Sequence, residues 1–92
     1  MFIIELTYKK EMSEVERFLE PHRAFLDKYM ARGILIASGP KVPRDGGVIL
    51  ANGVSRNELE ELVKEDPFWI QEIANFRITE FTVTKQAAQF KF

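Results

Sequence analysis

Residues 34–53, ILIASGPKVPRDGGVILANG, contain two β-rich segments separated by a short polar loop. A proline and an Asp-Gly dipeptide lie in that loop and are typical of a turn, so residues 34–40 and 46–53 are predicted to form a β-hairpin. The hairpin occupies the middle of the chain, with one helical pattern on each side. Its central position decides the order of the elements and therefore the fold.

A strand pattern lies toward each end of the chain. Residues 2–8, FIIELTY, alternate between two faces, as a half-buried strand requires. Residues 76–85, FRITEFTVTK, are rich in β-branched and aromatic side chains and are predicted to form the last strand. The remaining tail, residues 85–92, carries Phe90 and Phe92, which have no local apolar neighbours.

The first helical pattern lies between the N-terminal strand and the hairpin. Ser13 and Glu16 have the spacing of a capping box, which predicts a helix that begins at Ser13, continues to Arg32 and is stopped by Gly33. Pro21 interrupts this segment, since it lacks an N–H donor and its ring clashes with the preceding turn. The sequence therefore predicts a kink or break at Pro21.

The second helical pattern follows the hairpin. Ser55 and Glu58 form another capping-box pattern, and the helix is expected to end at Asp66, because Pro67 disfavours helical geometry in the residue before it. A short helical piece, PFWIQEIAN, is predicted to restart with Asp66 as its N-cap and Pro67 at its first position.

The predicted order of elements is β-α-β-β-α-β. This order indicates a ferredoxin-like α+β fold, in which two helices cover one face of a four-stranded antiparallel sheet. The two hairpin strands are apolar on both sides, and Ile3, Phe81 and Val83 are expected to extend the uncovered face. Because a monomer rarely exposes a large apolar surface, we predict a homodimer packed sheet to sheet, with Phe90 and Phe92 contacting the partner.

The composition limits the class of protein. The 92 residues are expected to form one domain, 1–92, and a formal net charge of −1 provides no field to attract nucleic acid. The chain contains no cysteine, which suits a cytoplasmic location and excludes thiolate chemistry. No apolar run is long enough to cross a membrane, and the first residues enter a strand pattern without a signal peptide.

The only histidine in the chain, His22, lies one position after a proline. Its spacing places it in the stripe of the first helix that should face the core, where a leucine is expected. The stripe consists of Val15, Phe18, His22, Phe25 and Tyr29. Such a histidine is either a satisfied core residue or a functional group.

Four further features occur in a fixed order along the chain. They are the spacing of ten residues between His22 and Gly33, an apolar strand that ends in SGP at 38–40, a strand that begins with glycine, and DPF at 66–68 before the last strand. Together they resemble one known family, the YciI-like or YCII-related proteins. The resemblance extends over essentially the whole chain. It departs at Arg23, where a leucine is frequent in that family.

The resemblance implies a dimeric α/β barrel with a pocket between helices and sheet. It also implies a catalytic His22–Asp66 dyad, with Ser38 at the pocket wall and Gly39, Pro40 and Phe68 as further substrate-binding residues. A neutral imidazole accepts protons near physiological pH, and a carboxylate on its other nitrogen fixes the tautomer. We therefore interpret His22 as the base and Asp66 as its orienting partner.

Other interpretations of these residues stay open. Asp66 is also explained as an N-cap, Ser38 as a strand-end residue that bonds backbone, and Phe68 as a core residue. Lys41 and Arg44 belong either to a solvated loop or to a clamp for an acidic ligand. One histidine with scattered carboxylates predicts neither a metal site nor a cofactor.

The leading hypothesis is thus a small enzyme that transfers a proton on a small acidic or aromatic-derived substrate. Isomerase, lyase or dehydrohalogenase-type chemistry is implied by the resemblance alone. The alternatives are a non-catalytic module that binds a small molecule and a purely structural dimer.

Overall fold

A computed structural model describes residues 1–91 of the chain, and Phe92 lies outside the described residues. These residues form four strands and four helical segments. The elements are β1 (Phe2–Tyr8), α1 (Met12–Arg17), α2 (Leu19–Ala31), β2 (Leu35–Pro40), β3 (Gly46–Ala51), α3 (Arg56–Val63), α4 (Pro67–Ile70) and β4 (Ala74–Glu80).

The four strands form one antiparallel sheet in the order β2-β3-β1-β4. The first and third strands lie at the centre, and the hairpin joins β3 to an edge strand. The predicted ferredoxin-like arrangement is confirmed. Each of its two helical regions is divided into two segments, as the sequence predicted.

The core lies between one face of the sheet and the helices. On β1 the side chains that point into it are Phe2, Ile4 and Leu6, all of which are buried. Helical and connecting segments close the core from the other side, with Val15, Phe25, Leu26, Tyr29, Leu59, Leu62, Val63, Phe68 and Ile73. The inward stripe predicted for the first helix therefore faces this core, and it includes His22, which is 8% exposed.

The first helical region is broken into two segments, as predicted, but the break lies at Phe18 and not at Pro21. Phe18 has φ −105° and ψ 8°, and it ends α1 and begins α2. Pro21 is the third residue of α2, in the first turn, where backbone N–H groups have no intrahelical acceptor. The missing donor of Pro21 thus costs α2 no hydrogen bond.

The prediction of a capping box at Ser13 and Glu16 was wrong. The first helix begins at Met12 with Glu11 as its N-cap, and no side chain caps it. Ser13 consequently lies within the first turn rather than at its start. The second capping box is confirmed: Glu58 donates its N–H to Ser55 Oγ over 3.1 Å, and Ser55 donates its N–H to Glu58 Oε1 over 3.3 Å.

The third and fourth helices are shorter than predicted. The third helix ends at Val63 and the fourth spans only Pro67–Ile70. Soon after α4, Glu72 adopts φ 53°, a left-handed conformation that ends helical geometry and turns the chain into β4.

The last strand ends earlier than predicted. It spans Ala74–Glu80 instead of 76–85 because its partner, β1, begins at Phe2, which pairs with Glu80. One further backbone bond joins the N–H of Phe81 to the carbonyl of Met1 over 3.0 Å. Beyond it the tail has no strand to pair with, and Phe81 and Phe90 are exposed. Contact of the tail with a partner stays a prediction, and for Phe92 it falls outside the described residues.

The face of the sheet away from the helices is less apolar than predicted. Ile3, Val48 and Leu50 on neighbouring strands are half-buried there. The same face carries Glu5 and Arg77, which are directly opposite each other on β1 and β4. The open face of the sheet therefore carries an apolar patch, and the charged residues Glu5 and Arg77 lie at the border of this patch.

Candidate active site

The imidazole of His22 and the carboxylate of Asp66 are in direct contact. Nδ1 of His22 lies 2.8 Å from Oδ1 and 3.0 Å from Oδ2 of Asp66. The histidine is presented by α2 and the aspartate by the linker between α3 and α4, 44 residues away in sequence. Asp66 is 0% exposed, so its carboxylate depends on these protein donors instead of water.

The same carboxylate caps the fourth helix. Oδ1 of Asp66 accepts the backbone N–H of Phe68 over 2.9 Å, and Pro67 occupies the first helical position. The cap and the contact with His22 are thus made together by one side chain. An ionised carboxylate only accepts hydrogen bonds, so Nδ1 of His22 carries the proton in this contact. In the neutral ring this leaves Nε2 as the unprotonated, basic nitrogen.

Phe68 fixes the plane of the imidazole. The rings of His22 and Phe68 are stacked with centroids 4.0 Å apart and an angle of 4° between their planes. Phe68 is 1% exposed and also contacts Tyr8 edge to face, with centroids 6.2 Å apart. The imidazole is held at its edge by Asp66 and on one face by a core residue.

The second ring nitrogen of His22 points away from these partners. Within residues 1–91, every buried side-chain nitrogen and oxygen makes a hydrogen bond. Nε2 of His22 makes no hydrogen bond to any of these residues, so it is not a buried atom. Nε2 is therefore accessible. His22 lines a pocket of about 590 Å³ between α2 and the β2–β3 hairpin, which is where that accessible atom meets open space.

Five of the six residues predicted for the site line this pocket: His22, Ser38, Gly39, Pro40 and Phe68. Asp66 does not, since it lies behind the imidazole. Ser38 is exposed and makes no side-chain hydrogen bond within the described residues, so its assignment as a strand-end residue that bonds backbone has no support from its contacts.

The rest of the wall combines apolar and polar side chains. The apolar part consists of Leu6, Leu19, Leu26, Met30 and Ile49, and the polar part adds Tyr8, Arg23, Asp27 and Arg44. Sequence reasoning did not identify Tyr8 or Asp27 as pocket residues. A signal existed for both, because Tyr8 ends the inward face of β1 and Asp27 follows Arg23 by one helical turn.

A second polar cluster lies beside the first. Tyr29 donates its hydroxyl hydrogen to Oε2 of Glu65 over 2.6 Å, and Lys28 Nζ lies 3.2 Å from Oε1 of the same carboxylate. Hydrogen bonds from Tyr29 and Lys28 lower the pKa of Glu65. The bond to Glu65, followed by burial, raises the pKa of Tyr29, and the bond to Glu65 raises the pKa of Lys28.

The charges on the β2–β3 loop differ in their partners. Lys41 Nζ lies 3.3 Å from Glu5 and 3.7 Å from Asp45, and it also donates to Thr7. Glu5 and Thr7 are on the face of β1 opposite the core, so Lys41 is directed away from the pocket. Arg44 lines the pocket.

Two features are absent from residues 1–91, a cluster of metal ligands and a helix that could span a membrane. No group of three or more His, Cys, Asp or Glu side chains is placed to hold a metal ion. None of the helices in this part of the chain is long and apolar enough to span a bilayer.

Comparison with known proteins agrees with this architecture. The family model of the YCII-related domain matches residues 1–82, and the chain belongs to that family. A similar solved structure is 5-chloro-2-hydroxyhydroquinone dehydrochlorinase from Burkholderia phenoliruptrix AC1100, in complex with 2,5-dihydroxybenzoquinone. The two share 17% identity and a TM-score of 0.74, over 88% of this chain and 92% of the other. No curated protein sequence matches the chain significantly.

Proposed function

We propose that this protein is a small enzyme that transfers a proton on a small organic substrate, with His22 as the general base and acid and Asp66 as its orienting partner. One observation carries the proposal. A buried carboxylate binds Nδ1 of the only imidazole in the chain, while Nε2 is accessible on a pocket. This is the arrangement that a histidine base requires.

In the proposed reaction Nε2 of His22 removes a proton from an acidic C–H or O–H of the bound substrate. The electron pair left on the substrate forms a new double bond, which either moves an existing one or expels a leaving group. Asp66 stabilises the imidazolium through Nδ1 until the proton is returned to the product or to water. Phe68 keeps the imidazole plane fixed during both steps.

The nature of the pocket supports a substrate that is acidic or derived from an aromatic ring. Its volume of about 590 Å³ and its many apolar side chains suit a small organic molecule. The solved relative is a dehydrochlorinase in complex with a dihydroxybenzoquinone. We therefore propose elimination or isomerisation chemistry for this chain as well.

The proposal is tested with His22→Gln and Asp66→Asn. Asparagine retains an acceptor for the N–H of Phe68, so the cap of α4 is preserved while the charge is lost. Turnover of 5-chloro-2-hydroxyhydroquinone is followed by chloride release, and proton exchange into a panel of hydroxyquinones and lactones is followed in D₂O. We expect activity on at least one compound, its loss in His22→Gln, and a decrease of about 100-fold in Asp66→Asn.

The single histidine also allows a test that needs no substrate. The ¹⁵N shifts of His22 should report a proton on Nδ1 in the wild type and a mixture of tautomers in Asp66→Asn. Activity that persists in His22→Gln, or an imidazole whose tautomer ignores Asp66, contradicts the proposal. Saturable binding without turnover identifies instead a non-catalytic binding module.

We also propose a homodimer formed through the open face of the sheet, in the cytoplasm. Ile3, Val48 and Leu50 form the apolar part of that face, and the absence of cysteine in the sequence suits a reducing compartment. Light scattering at micromolar concentration should give twice the mass of the chain. A mass equal to one chain contradicts the dimer, and Leu50→Glu is expected to produce that monomer.

A further inference from the structure

We infer that the pocket takes a substrate with a single negative charge, and that Arg44 binds this charge. The inference rests on the proposed function only in taking this pocket as the substrate site. It adds the charge of the substrate and the residue that recognises it.

A series of contacts places Arg44 at the same end of the pocket as His22. The carbonyl of Asp45, next in sequence, accepts the backbone N–H of Tyr8 over 2.8 Å. Tyr8 contacts Phe68 edge to face, and Phe68 stacks on His22. The loop that carries Arg44 is therefore connected to the imidazole through Tyr8 and Phe68, and both Arg44 and His22 line the pocket.

Among residues 1–91, Arg44 differs from the neighbouring cations in having no counter-charge. Lys41 is neutralised by Glu5 and Asp45, and Arg23 lies 3.1 Å from Glu20. Within residues 1–91, Arg44 has neither an ion pair nor a side-chain hydrogen bond. A guanidinium that lines a pocket without a partner is free to bind a carboxylate or an enolate with two parallel hydrogen bonds.

Two neutral hydrogen-bond donors also favour binding of an anion in the pocket. Tyr8 and Ser38 line the pocket, and their hydroxyls make no side-chain hydrogen bond in the described part of the chain. Both can donate to an anion while the apolar wall contacts its ring.

One acidic side chain of the pocket, Asp27, disfavours binding of negative charge. Asp27 lines the pocket and, like Arg44, has no ion pair among the described residues. It follows His22 by five positions on α2, which is about 7.5 Å along the helix axis. The end of the pocket near His22 thus favours an anion, and the end near Asp27 disfavours a second negative charge. This distribution selects a monoanion.

The test measures binding of non-reacting probes, independently of turnover. Benzoate, 4-hydroxybenzoate and isophthalate are titrated against their amides, and binding is followed through the ring signals of His22 and by calorimetry. The variants are Arg44→Gln, Arg44→Lys and Asp27→Asn. Lys64→Gln serves as the control, because it removes the same charge from a position outside this pocket.

We expect at least one monocarboxylate to bind more tightly than its amide and to bind about tenfold more weakly to Arg44→Gln. Arg44→Lys should recover part of the affinity, added salt should weaken binding, and Lys64→Gln should bind as the wild type does. Asp27→Asn should improve binding of the dianion isophthalate more than that of benzoate.

The inference is overturned if every amide binds as well as its acid, if no acid binds, or if Arg44→Gln and Lys64→Gln lower affinity equally. Its failure is separable from that of the proposed function. Charge-dependent binding with activity that ignores His22 removes only the catalytic proposal, whereas His22-dependent turnover of neutral compounds removes only the inference about Arg44.

Discussion

The hydroxyl of Tyr29 donates to the carboxylate of Glu65 over 2.6 Å, and the next residue of the same linker, Asp66, contacts His22. Tyr29 lies two turns along α2 from His22, so both side chains project from one face of that helix. Two consecutive carboxylates of the α3–α4 linker are thus bound to the same face of α2.

Replacement of Tyr29 by phenylalanine should weaken this attachment without a cavity. We expect Tyr29→Phe to lower the free energy of unfolding by about 1 kcal/mol, the net value of a hydrogen bond to a partly exposed carboxylate. Urea denaturation measures it. Lys28→Gln, which removes the exposed partner of the same carboxylate, should have a smaller effect, and equal effects would contradict the role assigned to the hydroxyl.

The pH dependence of the free energy of unfolding should reflect the lowered pKa of Glu65. Its pKa is lowered in the folded protein by hydrogen bonds from Tyr29 and Lys28. The folded state therefore binds fewer protons than the unfolded state near that pKa. The stabilisation is complete above the unfolded value of about 4.3 and is lost as the pH falls through the lower folded value. The difference in the free energy of unfolding between wild type and Glu65→Gln, measured by urea denaturation, should decrease between pH 6 and pH 3. A difference that stays constant over this range would contradict the assignment to Glu65.

The hairpin that borders the pocket should depend on one glycine. A Cβ added at Gly46 would lie far inside contact distance of the carbonyl oxygen of Leu6, whereas one added at Gly39 meets nothing within 4 Å. Gly46→Ala should cost roughly 3 kcal/mol or more through displaced backbone, while Gly39→Ala should change stability by less than about 1 kcal/mol. Thermal unfolding of the two variants compares them, and similar midpoints would contradict the close approach of β3 to β1.

The stack between His22 and Phe68 should matter for the imidazole more than for the fold. Phe68→Leu retains a buried apolar side chain, so we expect a loss of roughly 1 to 2 kcal/mol in stability. It also removes the flat surface against the imidazole, so exchange broadening of the His22 ring signals should increase. Unchanged signals would show that Asp66 alone fixes the ring.

Pro21 should be dispensable despite its place in a helix. It occupies the first turn of α2, where no intrahelical bond is available to its nitrogen. Pro21→Ala is expected to alter the free energy of unfolding by less than about 1 kcal/mol, chiefly through the greater freedom of the unfolded chain. A gain of 3 kcal/mol would indicate an interior position in the helix. Denaturant unfolding distinguishes the two.

Local patterns in the sequence predicted most of the fold. Alternation of apolar residues predicted β1, the loop chemistry predicted the hairpin, and the capping box at Ser55 predicted the start of α3. Each of these signals depends on residues close together in the chain. The end of β4 depended on a distant partner, since β4 ends where β1 has no further residue to pair with. The helix break was predicted, but it lies at Phe18, which places Pro21 in the first turn of α2.

The site was less accessible to such reasoning. Periodicity placed His22 on the core face of its helix, and the proline at position 67 identified Asp66 as a cap. The pairing of these two residues came from the resemblance to a family, and their catalytic role stays a proposal. No local pattern indicated that Glu65 would bind Tyr29. Local signals for Tyr8 and Asp27 existed, at the end of the inward face of β1 and one helical turn after Arg23, but sequence reasoning did not use them to place these residues in the pocket.

The sequence by itself therefore determined the kind and order of the elements, because hydrophobic period, caps and turns act within a few residues. Only the tertiary structure decided that Asp66 meets Nδ1 of His22 and leaves Nε2 on the pocket, since that contact joins residues 44 positions apart. Such a contact exists only after the sheet has brought α2 and the α3–α4 linker together, and no short-range signal encodes it.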